Sequence, residues 1–205
     1  MSRPNISAHL IHFTKGVGLE GAYATLRKIL SERRLVAGYR FIKGKHKCVC
    51  FSEAPLASLS NGLVNEDYYS KYSPFGIMVS KEWLFRQGGR PVIYQTESDY
   101  EELPISHQWR HVRYELRENF EWTDFTWERE WRIRLDELAF DPSVARIIVP
   151  SNEWAHRLER DHDYEDGFTV MQYSLVVGHE IAEAYRDAFE WTVLSLAPNQ
   201  PAALC

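Results

Sequence analysis

The run Trp127-Glu128-Arg129-Glu130-Trp131-Arg132-Ile133-Arg134 packs two carboxylates and three guanidiniums between aromatic and aliphatic side chains. In an extended segment a period of two puts Glu128, Glu130 and Arg132 on one face, with Arg129, Trp131 and Ile133 on the other. Acids two residues apart on a strand lie roughly 6 to 7 Å apart. Such a row can grip a ribose hydroxyl and stabilise a cationic sugar carbon. It is equally a salt-bridged ladder with no chemistry of its own.

Three other segments carry residues that could join it. In Ile11-His12-Phe13-Thr14 the alternation places His12 and Thr14 together, suited to a ribose or an amide, and a satisfied core histidine is an equal reading. In Cys50-Phe51-Ser52-Glu53, Ser52 and Glu53 end a strand before Ala54-Pro55, where ligand groups gather; they are also good helix N-caps. In Gly88-Gly89-Arg90-Pro91-Val92-Ile93-Tyr94 the double glycine permits a tight turn or a close ligand approach, and Tyr94 closes an apolar strand. There is no Gly-x-Ser-x-Gly elbow and no Walker loop.

The elements that position these residues follow from periodicity. Strands are expected at 9–14, 47–53, 74–80, 90–95, 127–135, 145–149 and 167–177. Tyr23, Leu26, Ile29 and Leu30 give 22–35 a helical stripe. Helices are also expected after Pro55, over 81–87, in part of 107–120, from a Ser151 cap to about Arg160, and over 180–191. Short helices among strands imply one mixed α+β domain over 1–205, with its core at about 5–193 and a frayed tail at 194–205.

At 205 residues, 44% hydrophobic and 26% charged, the chain suits one sizeable core. A net charge of −5 argues against non-specific nucleic-acid binding. One stretch is the exception: Arg33, Arg34, Arg40, Lys43, Lys45, His46 and Lys47 include no acid among them. It reads as a solvated loop or a phosphate patch, and a nucleic-acid contact through it is the expectation to test. Cys48 and Cys50 flank Val49 without the partner pair a zinc site needs, so no metal is expected and both should be reduced core residues. No signal peptide and no apolar run of about 20 residues stands out, which predicts a cytoplasmic protein off the membrane.

Four motifs in order, Ile-His-Phe-Thr-Lys-Gly (11–16), Cys-Val-Cys-Phe-Ser-Glu-Ala-Pro-Leu (48–56), Gly-Gly-Arg-Pro-Val-Ile-Tyr (88–94) and Trp-Glu-Arg-Glu-Trp-Arg-Ile (127–133), resemble the AbiGi family. Those are bacterial abortive-infection proteins, often described as the antitoxin of a phage-resistance pair, and the likeness implies a toxin or antitoxin partner. The succession of His-aromatic-Thr, a strand ending in Ser, a Tyr and Glu-x-Glu also resembles ADP-ribosyltransferases, including the DarT type. That likeness implies a transferase-like fold with a central, split, mixed or antiparallel sheet, and NAD as the substrate. It makes Glu130 catalytic, with Glu128 orienting the acceptor. His12, Thr14, Ser52, Glu53, Arg90, Tyr94 and Arg132 would hold the dinucleotide. The acceptor, protein or nucleic acid, does not carry over. A catalytically inactive antitoxin is the alternative.

Overall fold

The computed structural model describes residues 6–53, 72–116 and 123–197. Its centre is a seven-stranded mixed sheet. In chain order the strands are β1 (His9–Phe13), β3 (Cys48–Ser52), β4 (Gly76–Ser80), β5 (Arg90–Pro91), β8 (Glu130–Arg134), β10 (Ala145–Ser151) and β11 (Thr192–Ala197). Their order across the sheet is β11-β10-β4-β1-β3-β8-β5, one continuous sheet rather than a split one. Two short ribbons stand apart: β2 (Arg34–Val36) against β9 (Glu137–Ala139), and β6 (Ile93–Gln95) parallel to β7 (His111–Arg113). The helices are α1 (Gly18–Glu32), α2 (Lys81–Arg86), α3 (Glu97–Tyr100), α4 (Asn152–Val177) and α5 (His179–Glu183).

The period of two sorts the sheet into two faces. Leu10, Val49, Phe51, Ile77, Val79, Trp131, Ile133, Ile147 and Val149 enter the main core, together with Ala22, Tyr23, Leu26 and Leu30 of α1. Ile11, Phe13, Met78 and Ile148 form a smaller apolar cluster on the reverse face, packed with Tyr72, Leu194 and Leu196. The run Ile147-Ile148-Val149 is fully buried because both faces of β10 are covered, which an uninterrupted apolar strand predicts. Burying each such side chain contributes roughly 1.5–3 kcal/mol.

Helix α1 starts earlier than its apolar stripe predicts, at Gly18, whose φ of +65° no β-carbon hinders. Gly16 makes the entry compact: a β-carbon there would fall 2.0 Å from the Gly21 carbonyl carbon. The Thr25 hydroxyl donates to the Lys15 carbonyl at 2.8 Å and ties the loop to the helix.

Four expectations need correction. Residues 167–177 are helical, the second half of α4, and not a strand. Tyr164, Phe168, Met171 and Leu175 recur at helical spacing, and a helix closes its own backbone bonds, whereas a strand needs a neighbour. The place beside β10 is taken by β11, whose residues 194–197 were expected to fray. The helix expected over 180–191 shortens to α5 after Gly178, whose φ is +89°. Finally, in 107–116, the described part of the stretch expected to hold a helix within 107–120, the chain forms a single 3₁₀ turn, Gln108–Arg110, followed by β7. The helix expected after Pro55 falls outside the described residues.

Candidate functional site

Glu128 and Glu130 do not share a strand. Thr126–Glu128 is a 3₁₀ turn, Arg129 follows with φ +44° in the left-handed region, and β8 begins only at Glu130. The kink turns Glu128 inward. It is buried, its carboxylate accepts the Tyr72 hydroxyl at 2.6 Å, and its carbonyl accepts the Ser52 hydroxyl at 2.9 Å. Ser52 therefore holds the turn that carries Glu128, a role the N-cap reading missed.

Glu130 lies on the reverse face of the sheet beside Arg132, as alternation predicts. The guanidinium donates through Nε to Oε1 at 2.9 Å and through Nη2 to Oε2 at 3.1 Å, a bidentate pair. Its Nη1 donates to the carbonyls of Trp109 at 2.8 Å and His111 at 3.0 Å. Burial opposes the charge on Arg132, yet the adjacent Glu130 holds its pKa above the ordinary value. The Glu130 backbone N–H donates to the Tyr94 hydroxyl at 3.0 Å.

Around these acids the phenols and thiols are held neutral. Burial first, and then the two carboxylates, raise the hydroxyls of Tyr72 and Tyr94, the latter to about 12. Burial and Glu130 push the Cys50 thiol far up, and burial takes Cys48 to about 11. Both cysteines are unpaired, but Cys50 is a neighbour of Glu130 and not a simple core residue. Neither is activated as a nucleophile.

His12 points the other way. Ile11 pairs with Ser52 and Ser52 with Glu130, so those three share a face and His12 projects from the opposite one. Its ring meets Phe51 of the main core at 5.8 Å, edge to face. Nδ1 lies 2.8 Å from the Cys50 carbonyl oxygen, which accepts only, so Nδ1 carries the proton and Nε2 is the acceptor. Desolvation, the dominant cause, and Lys15 lower the His12 pKa from 6.5.

The remaining expected binding residues are spread over the fold. Thr14 is buried and donates to the carbonyl of Ala22 at 3.0 Å. Glu53 follows Trp131 to the main-core face, accepting its indole N–H at 2.9 Å and pairing with Lys81 at 2.7 Å. Arg90 stacks on Phe85 at 4.0 Å and donates to the carbonyls of Phe85 and Gly89. The Gly88-Gly89 turn packs on Leu84: a β-carbon on Gly89 would lie 2.8 Å from the Leu84 carbonyl oxygen. The structure thus brings Glu128, Glu130, Arg132 and Tyr94 together, adds Tyr72 and Cys50, and leaves His12, Thr14, Glu53 and Arg90 elsewhere. Tyr72 carries no local sequence signal, since its role comes only from docking against the 3₁₀ turn.

The basic stretch is largely neutralised by acids distant in sequence. Arg33 pairs with Glu190 at 3.9 Å, Arg34 with Glu137 at 2.9 Å, Lys43 with Glu97, and Lys47 with Asp136 at 2.9 Å. Arg40 and Lys45 have no carboxylate partner among the described residues. No described helix is long and apolar enough to cross a membrane.

No protein-family model, no curated protein and no solved structure matches the chain.

Proposed function

We propose that this protein works by binding rather than by breaking bonds, as the antitoxin or regulatory partner in an abortive-infection system. The four ordered motifs support the defence context. The observation that carries the non-catalytic reading is the closure of Glu130: both its oxygens receive N–H groups from Arg132, whose Nη1 is committed to the Trp109 and His111 carbonyls. A carboxylate that steadies a cationic ribose carbon must turn an oxygen towards the sugar. A histidine on the opposite face of the sheet has no part in the same sugar contact.

A second reading keeps Glu130 and Glu128 as the acids of an NAD-dependent ADP-ribosyltransferase in antiphage defence. The crowding of both acids with Tyr72 and Tyr94 on one side of the sheet favours it. It requires Arg132 to release Glu130. Incubation with labelled NAD and cell extract separates the two. Binding alone predicts no transfer and no nicotinamide release, while a neighbouring gene product is captured by wild type and by Glu130→Gln. Label transfer that Glu130→Gln abolishes in a folded variant establishes the transferase and removes the first reading.

A further inference from the structure

A cleft of about 440 Å³ opens on the His12 side of the sheet, between β1 and β3 below and α1, β2 and the loop after it above. Its size is that of a small-molecule site. Lys15, Lys28, Arg34 and Arg40 line it against one carboxylate, Glu32, an excess of three positive charges in a chain whose net charge is −5.

Pairing with acids among the described residues leaves two of those cations, Lys15 and Arg40, to supply the excess. Glu32 is already engaged by Arg34 at 3.1 Å and by Lys28 at 3.8 Å, and Arg34 also holds Glu137. Lys15 and Arg40 have no acid partner among the described residues. Cations gathered in a concave site focus the field and attract an anion. His12 adds a different group: its protonated Nδ1 is spent on the Cys50 carbonyl, so this ring, which lines the cleft, offers Nε2 as an acceptor for a hydroxyl or N–H. Ile29, Leu35 and Ile42 supply apolar wall for a flat ring.

We propose that this cleft binds a small nucleoside phosphate, with Lys15 and Arg40 on the phosphate, His12 accepting from a ribose hydroxyl, and the aliphatic wall against the base. The site is on the opposite face from Glu130 and does not depend on whether that acid is reactive. It also assigns a use to Arg40, the member of the basic stretch that lines the cleft with no acid partner among the described residues. Free phosphate shares the anion chemistry, and a nucleoside shares the rest, so the three ligands must be compared.

The test is calorimetric titration of the full chain with ADP, inorganic phosphate and adenosine at two salt concentrations, with nicotinamide release from added NAD followed in a separate assay. ADP should bind more tightly than either fragment, weaken as salt rises, and lose at least tenfold in affinity in Lys15→Ala/Arg40→Ala. Both side chains are exposed, so that variant should melt with the wild type. His12→Phe should weaken ADP and adenosine but leave phosphate unchanged. Absence of ADP binding at millimolar concentration overturns the proposal. So does phosphate binding as tightly as ADP, or ADP binding that the double variant leaves intact. NAD turnover would remove the non-catalytic reading above without touching this result.

Discussion

The two faces of the sheet treat their charges in opposite ways. On the Glu130 face every group that drew attention in the sequence is matched: Arg132 closes Glu130, Tyr72 meets Glu128, and Ser52 holds the backbone between them. On the His12 face the cleft keeps Lys15 and Arg40 without acid partners among the described residues. A row of acids and arginines satisfied by its own members is a structural lock, because removing buried charges from water costs several kcal/mol per ion unless they pair well. Cations gathered in a concavity focus the field on an anion and are the better sign of a ligand site.

The comparison breaks most visibly at the lock. Glu130→Gln should destabilise the fold by about 3–5 kcal/mol, because it strands a buried guanidinium. Urea denaturation measures this, and a double variant that also carries Arg132→Met should recover much of the loss. If the single variant is as stable as wild type, the acid is not structurally engaged and the transferase reading gains. Next in size is Tyr72→Phe, which removes a hydroxyl that donates to the Glu128 carboxylate. A loss of about 1–3 kcal/mol is expected, the cost of weakening a buried charged acceptor.

A smaller effect sharpens the other face. The folded-state pKa of His12 is depressed, so its contribution to stability is present above the unfolded value of 6.5 and is lost as pH falls below it towards the folded value. Melting temperature should drop between pH 7 and pH 5, and His12→Phe should flatten that slope. An unchanged slope means His12 is not held neutral. Smallest of all, Lys47→Ala should leave the melting temperature unchanged, since its pair with Asp136 is fully exposed. Measured binding of the whole chain to a nucleic-acid duplex that falls steeply with salt would revive the basic stretch as an interface.

How much was legible varied with how local the controlling physics was. The strands at 9–13, 48–52, 76–80 and 145–151 were readable because one period of alternation or one apolar run fixes them. Residues 167–177 were harder to read, since their β-branched and aromatic residues favour a strand while the wider spacing from Tyr164 to Leu175 is helical, and β11 takes the place beside β10. Within the site, the pairing of Glu130 with Arg132 followed from a spacing of two. The turn at 126–128 did not, because the left-handed Arg129 has no glycine to announce it.

The amino-acid sequence alone set which side chains share a face within each strand: alternation is a property of the pleated backbone, needing no neighbour. Tertiary structure decided which face of one strand meets which face of the next. The register Ile11–Ser52–Glu130 put the imidazole and the acid on opposite sides, because shifting a pairing by one residue exchanges the faces of a whole strand.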